Sequence, residues 1–513
     1  MAPKSGAVKA ETGECAAIPA ILHLQPQYPN TDGEGGAVRC HLPLSLPDAV
    51  RDKGWFSPMV CFNDGSRHAG GGSQRPPSSR AHESRSVTHK RDEVRSILQA
   101  AIKAAQPAQF LPRHLPPAPR GRLIILAAGK AGASMAAAAE AHYIDTLGLA
   151  PERISGSAVC RYGYATTTRR VAVIEAGHPI PDEAGVRAAS QALELASAAQ
   201  ADDLVLVLLS GGGSANWVAP ACAVSLADKQ ALTRALQRAG AHIGELNCVR
   251  KHLSRFKGGR LAVATHPAPL VTIAISDVPG DNPSVIASGP TVGDDSTLAD
   301  AQAVLARFGI VPSPAIARVL ADPANESPKP GDERLGGERV IIACRPRDGL
   351  EAACREADRL GYPVISLGVD VEGEAREVAG AHAAMARRLA AQGQRAAILS
   401  GGELTVTVKG KGRGGPNQEY VLALALALDG NDAIHALAAD TDGTDGGSGL
   451  PDDAAGAMAF PDTLRRAREQ GIDPAAFLAN NDATTCFERL GDLVMTGPTL
   501  TNVNDLRVIL VDP

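Results

Sequence analysis

Short apolar runs that end in a glycine turn recur along this chain, each followed by a helix-forming stretch. Leu123-Ile124-Ile125-Leu126-Ala127-Ala128 runs into Gly129-Lys130 and then an Ala-rich segment to about Tyr143. Val171 to Glu175 runs into Gly177-His178-Pro179, Leu204 to Leu209 into Ser210-Gly211-Gly212-Gly213-Ser214, and Val271 to Ser276 into Asp277. A second series follows, with strands expected at Val340 to Ala343, Pro363 to Leu367, Ala396 to Leu399 and Leu404 to Lys409, and a helix over 417–427. Strands alternating with helices are the pattern of an α/β fold. The expected architecture is two Rossmann-like α/β domains with an interdomain active-site cleft. Residues 91–325 form the first, 338–513 the second, and the Pro- and Gly-rich stretch 321–337 has the composition of a linker. Residues 1–90 are rich in Pro, Gly, Ser and Arg without a sustained period, and read as a disordered or non-family extension.

Composition narrows the function classes. Apolar residues make up 44% but aromatics only 3%, so the core must be built from Ala, Val, Leu and Ile. With 51 basic and 56 acidic side chains the net charge is -5, which removes any broad electrostatic case for nucleic acid or anionic membrane. Nine scattered cysteines without a C-x-x-C pair argue against a disulfide framework. No apolar run approaches the length of a membrane span and the N-terminus is a poor secretory signal, so the expected location is cytoplasmic.

Ligands of open α/β sheets gather at the carboxyl ends of strands, and most of the polar motifs fall there. Lys130 closes a strand and opens a helix, where a cation opposes the helix dipole and an anionic partner resolves the conflict. Ile124 and Ala131 exclude a Walker A loop. Ser210, Gly211, Gly212 and Ser214 present backbone N–H groups to an oxyanion or phosphate. In Asn247 to Arg260, helical spacing puts Arg250, Ser254 and Lys257 near one face and Lys251 and Arg255 on another. Such density suits a carboxylate or phosphate, or else a solvated basic face. Asp277 and Asp281 lie four apart after a strand, as a base, as metal ligands, or as turn formers beside proline. Gly410-Lys411-Gly412-Arg413-Gly414-Gly415 matches G-x-G-x-x-G, with Asp440 about where a ribose-binding acid would sit. Its basic residues suit a triphosphate equally. Asp440, Asp442 and Asp445 place three carboxylates in six residues among glycines and hydroxyls, a setting for a hard cation. Asp445 and Pro451 stand where an EF-hand needs Gly and Glu, so that loop is rejected.

In their order along residues 92–510, these segments resemble the glycerate 2-kinase family, whose C-terminal domain is called MOFRL. The resemblance rests on Ala128-Gly129-Lys130-Ala131, Ser210 to Ser214, Asn247 to Leu261, Ile275 to Asp281, Gly401-Gly402-Glu403, Gly414 to Tyr420, Asp440 to Gly447 and Thr496 to Asp505. It implies ATP-dependent phosphorylation of D-glycerate to 2-phosphoglycerate with Mg²⁺. Some relatives are named hydroxypyruvate reductase. The implied catalytic group is Lys130, Asp277 or Asp281, and Arg413, the arginine nearest to Pro416, which occupies the family's usual arginine position. Ser210, Gly211, Gly212, Ser214, Arg255 and Lys257 are expected at the substrate, and Gly412, Gly414, Gly415, Asn417 and Glu419 at the nucleotide. Asp440, Asp442 and Asp445 are expected at Mg²⁺. The alternatives are an NAD(P)H-dependent hydroxypyruvate reductase using the 410–415 loop, and a metal-binding protein without catalysis. The expected partner is the small-molecule substrate glycerate, with no nucleic acid or membrane, and a homodimer stays open.

Overall fold

Five of the apolar runs and the strand Ile154–Arg161 assemble side by side into one parallel sheet. The computed structural model of the chain describes residues 59–60, 79–336, 339–447 and 449–513. Its strands in chain order are β1 (Met59–Val60), β2 (Leu123–Ala128), β3 (Ile154–Arg161), β4 (Ala172–Ala176), β5 (Leu204–Leu209), β6 (Leu270–Ile275), β7 (Val340–Cys344) and β8 (Val364–Ser366). There follow β9 (Gly373–Glu374), β10 (Ala396–Ser400), β11 (Leu404–Thr405), β12 (Ile434–Asp440), β13 (Gly456–Ala459), β14 (Leu493–Val494) and β15 (Asp505–Val511). The first sheet has the order β4-β3-β2-β5-β6-β7, and every neighbouring pair is parallel. Strand order reverses direction between β2 and β5, which is the switch point where such sheets bind ligands at their carboxyl ends.

Period-2 alternation explains why these strands read as unbroken apolar runs. Leu123, Ile125 and Ala127 face one core with Met135, Ala136 and Ala139 of the helix Gly132–Ala141. Ile124, Leu126 and Ala128 face the other with Ala184, Ala188 and Ala192 of the helix Glu183–Ser197. Four further helices, Leu226–Arg238, Ile243–His252, Leu298–Arg307 and Pro314–Ala321, share a separate small core.

The second sheet has the order β1-β8-β10-β15-β12-β13-β14 and is mixed, because β15 runs antiparallel between β10 and β12. Ile398, Ala436 and Ile509 face the helices Ala375–Ala391 and Pro416–Leu428, whereas Leu399, Leu437, Val508 and Leu510 face Ser79–Ala104 and Pro346–Arg359. The α/β class is as expected, but the second sheet departs from the Rossmann pattern.

The elements also divide between the sheets differently from the expected boundaries at 325 and 338. Strand β7 adds to the first sheet, so the described residues 321–336 belong to a crossover within that sheet. The helix Ser79–Ala104 begins before residue 91 and packs on the second sheet through Val94, Ile97, Leu98 and Ala101. Leu404 to Lys409 supplies only the two-residue strand β11, paired with β9. All of this lies within one compact unit, Phe56–Pro513. The remainder of the 1–90 reading falls outside the described residues. Among the described residues no helix is long and apolar enough to cross a membrane.

Because Ile97 is fully buried against the second sheet, Ile97→Ala should lower unfolding free energy by about 2–4 kcal/mol in denaturant titration. A loss below about 0.5 kcal/mol, the range of ordinary surface substitutions, would detach the helix from that core.

Candidate active site

The carboxyl ends of β2, β3, β5 and β6 converge on the acidic turn that follows β12. Lys130 leaves β2 at Gly129, whose φ of +108° and close approach to the Ser210 carbonyl leave no room for a side chain. Its ammonium lies 2.6 Å from Asp442 Oδ2, with both side chains largely buried. The anion that a lysine at a helix start calls for is therefore supplied within the chain. Burial opposes the Lys130 charge, yet Asp442, Asp440 and Asp277 outweigh it and hold its pKa above that of a free lysine. Burial likewise disfavours the Asp442 carboxylate, and Lys130 and Arg161 reverse the balance and lower its pKa.

The other Asp442 oxygen accepts from the Thr444 amide at 2.8 Å and the Thr444 hydroxyl at 3.1 Å. Asp440 Oδ1 accepts the Asp442 amide at 2.9 Å. Asp440 itself is pushed well above the ordinary carboxylate pKa, first by burial and then by Asp442.

Asp277, at the end of β6, accepts from Asn502 Nδ2 at 2.8 Å, and its carbonyl accepts from Asn504 Nδ2 at 3.1 Å. Burial raises its pKa against the pull of Lys130. A Cβ at Gly211 would fall 1.8 Å from Asp277 Oδ2, so this glycine is what lets the carboxylate reach the turn. Among the described residues the amides of Gly211 and Gly212 meet no protein acceptor. His178 sits against the open face of Gly212. Burial, Lys130 and Arg161 depress its pKa to about 4, so the imidazole is neutral near pH 7.

The structure thus brings Lys130, Asp277, Gly211, Gly212, Asp440 and Asp442 together. Other expected residues have different work. Ser210 Oγ accepts the Ala131 amide at 2.9 Å and braces the turn after β2. Lys257 is buried and donates to the Ser214 carbonyl at 2.9 Å, while Ser214 and Ser288 share a hydroxyl contact. Arg255 donates to the Pro220 carbonyl and lines a separate surface hollow with Glu183 and Val224. Asp281 pairs with Arg345 at 2.7 Å.

The glycine-rich loop is tied down along its length. Gly410 and Lys409 amides donate to Asn481 Oδ1, Lys411 to Asn480 Oδ1, Gly412 to the Asn480 carbonyl and Arg413 to Asp482 Oδ1. A Cβ on Gly412 would meet Asp482 at 2.2 Å. Its glycines and amides serve packing, and Arg413 points to Glu488 at 2.8 Å on the surface. Glu419 is buried against Arg376 and Asn481. Asp445 accepts the amides of Asn417 and Gln418 at 3.0 and 2.7 Å, capping the helix Pro416–Leu428 beside Gly414 and Gly415. Burial and then Asp505 raise its pKa to about 7. Asp445 therefore turns away from Asp440 and Asp442, and no cluster of three or more His, Cys, Asp or Glu fit for a metal occurs among the described residues.

Sequence reasoning assigned no role to Arg161, Tyr164, Thr444, His178, Asn502 or Asn504. His178 and Asn502 to Asn504 stood inside noted motifs. The signal for Arg161 was a charge at the end of a strand hidden by its Ser and Gly residues.

The arrangement has counterparts. A model described as a domain of unknown function, DUF4147, matches residues 93–321, and the MOFRL family model matches residues 396–505. A protein of Agrobacterium vitis with a provisional hydroxypyruvate reductase name is 48% identical over 427 residues, covering 82% of this chain and 94% of that one. The D-glycerate 2-kinase of Thermotoga maritima is 38% identical over 420 residues, covering 81% of this chain and 97% of its own length. The crystal structure of glycerate kinase from Thermotoga maritima superposes with a TM-score of 0.72 at 37% identity, over 83% of this chain and 99% of that one. With full-length relatives above 30% identity and the same fold, this chain belongs to the glycerate 2-kinase family, with the MOFRL family domain at 396–505.

Proposed function

We propose that this protein is a glycerate 2-kinase, transferring the γ-phosphoryl group of ATP to the 2-hydroxyl of D-glycerate. The observation that carries this reading is the buried Lys130–Asp442 pair at the switch point of the parallel sheet, beside unpartnered Gly211 and Gly212 amides. Phosphoryl transfer needs positioning and charge neutralisation more than covalent help. Lys130 and Asp442 neutralise each other in the free protein. With a substrate that carries phosphate and a divalent cation both could exchange partners: Lys130 would face a phosphate oxygen, and Asp442 and Asp440 would be the residues to hold the cation. The raised pKa of Asp440 fits a carboxylate short of positive charge, whereas Asp445 does not fit, since the helix amides occupy its carboxylate. Bound there, Mg²⁺ would offset charge on the transferring group.

The Gly211 and Gly212 amides hold phosphate or substrate oxygens. Asp277 takes the proton of the 2-hydroxyl as its oxygen bonds to the γ-phosphorus and the bond to ADP breaks. The raised pKa of Asp277 brings it closer to that task. The reductase alternative loses sequence support because the amides of Lys409 to Arg413 are bonded to residues 480–482. The Agrobacterium vitis name is provisional and adds no site residue to that case.

Protein given D-glycerate and Mg-ATP should form ADP and 2-phosphoglycerate, and should leave NADH unoxidised with hydroxypyruvate. NADH consumption without ADP formation overturns the kinase reading. Lys130→Ala should lower turnover by about 10²–10³-fold, the scale for losing one preorganised charge stabiliser, and near-normal turnover would remove Lys130 from the mechanism. The pH profile of turnover carries the third expectation. Asp277 must be ionised to act as base, so turnover should fall with falling pH through a pKa above the ordinary carboxylate value. Asp277→Asn should lose about 10²–10⁴-fold and that acidic limb with it; a variant that keeps the limb assigns it to another group.

A further inference from the structure

We propose that Arg161 is a positioning residue for phosphoryl transfer, clamping the acidic turn after β12 to the end of β3 so that Asp442 keeps one oxygen for Lys130. This rests on the kinase reading above for its effect on turnover, and on geometry alone for the clamp. Arg161 is buried at the carboxyl end of β3. Its Nη2 donates to Thr444 Oγ1 at 3.0 Å and to the Gly449 carbonyl at 2.6 Å. Its Nη1 lies 3.5 Å from Asp442 Oδ2. The guanidinium stacks 4.2 Å over the Tyr164 ring, and the Tyr164 hydroxyl donates to the Asp442 carbonyl at 3.2 Å.

The order of donors gives the arrangement its direction. Thr444 Oγ accepts from Arg161, which fixes its lone pair, and so its proton is turned to Asp442 Oδ1 at 3.1 Å. Oδ1 is filled by Thr444, and Oδ2 turns to Lys130 at 2.6 Å, with Arg161 Nη1 farther off at 3.5 Å. A rigid planar fork can hold a hydroxyl, a carbonyl and a carboxylate at once, which an ammonium cannot. The turn needs such a clamp. Gly443, Gly446, Gly447 and Gly449 all have φ between +67° and +102°, so its backbone has little intrinsic stiffness. Pro416 offers no charge, and Arg413 faces Glu488. Among the described residues the ion pairs to Asp442 come from Lys130 and Arg161.

The test compares Arg161→Ala and Arg161→Lys with the surface control Arg169→Ala, whose partner is the exposed Asp145. Two readouts are taken: steady-state kinetics with D-glycerate and Mg-ATP, and amide hydrogen exchange of a peptide spanning 441–449. Arg161→Ala should lose about 100-fold in kcat, the scale of a 1 Å misplacement. Exchange should quicken in that peptide while β2 and β12 keep wild-type protection. Added guanidinium at sub-denaturing concentration should restore part of the kcat, and Arg161→Lys should fall between wild type and Arg161→Ala. Wild-type kcat with unchanged turn exchange overturns the proposal. A kcat loss with exchange raised throughout the chain and no guanidinium rescue also overturns it, as general destabilisation. If the wild type makes no ADP with glycerate, the kinase reading fails, and the exchange comparison still decides the clamp.

Discussion

Everything at this site depends on a buried ion pair that neither partner could sustain alone. Taking an ammonium or a carboxylate out of water costs several kcal/mol per ion, and the mutual attraction repays this only where geometry is good and the remaining donors and acceptors are filled. Lys130 and Asp442 meet that condition. The Lys130 amide donates to the Gly211 carbonyl, so the residue is held at both ends. Asp442 has its second oxygen filled by Thr444 and its amide bonded to Asp440. The consequence is a pair whose charges offset one another inside the site.

The fold explains why this pair can exist here. In a parallel sheet buried on both faces most strand interiors are apolar, and the charged residues of this site appear at the strand ends. The switch between β2 and β5 opens a gap at those ends. Only one component must come from elsewhere. The mixed sheet supplies it, because β12 and β15 run antiparallel and bring the turn after one and the Asn502–Asn504 approach to the other to the same edge. Asp442 reaches Lys130 from the first segment, and Asn502 reaches Asp277 from the second. Two stretches 60 residues apart, Asp442 and Asn502, thereby serve one centre.

What could be read in the sequence followed from locality. Lys130, Gly211, Asp277 and Asp442 each stand directly after an apolar strand, so a strand-end argument finds them without any knowledge of pairing. Arg161 stands at such an end too, but Ile-Ser-Gly-Ser-Ala-Val-Cys-Arg is not an apolar run; its small residues suit a strand packed between β2 and β4, a fact visible only once those neighbours are placed. Glu419, Lys257 and Asp445 erred in the other direction. Each is a charged residue in a telling motif, and each is neutralised by a partner that sequence spacing cannot reveal: Arg376, the Ser214 carbonyl and a helix N-terminus. The boundary between sheets failed for the same reason, since β7 joins a strand formed 65 residues earlier.

The glycine-rich loop shows how the same locality can mislead about chemistry. A dinucleotide loop needs a parallel strand before it, a helix after it, and amides left bare for a pyrophosphate. Residues 410–415 satisfy the spacing and the following helix, but the preceding β11 pairs only with the two-residue β9, outside both main sheets. The amides of Lys409 to Arg413 are then spent on Asn480, Asn481 and Asp482. Gly410 and Gly412 are still required, because residues 480–482 pass too close for a side chain there, so this part of the motif is a packing solution that shares its pattern with a binding one. The turn that does leave its amides open, Gly211-Gly212, lies at the switch point of the parallel sheet and faces a lysine. That combination places unpartnered amides beside a strand-end lysine, the setting that suits an oxygen-rich anion.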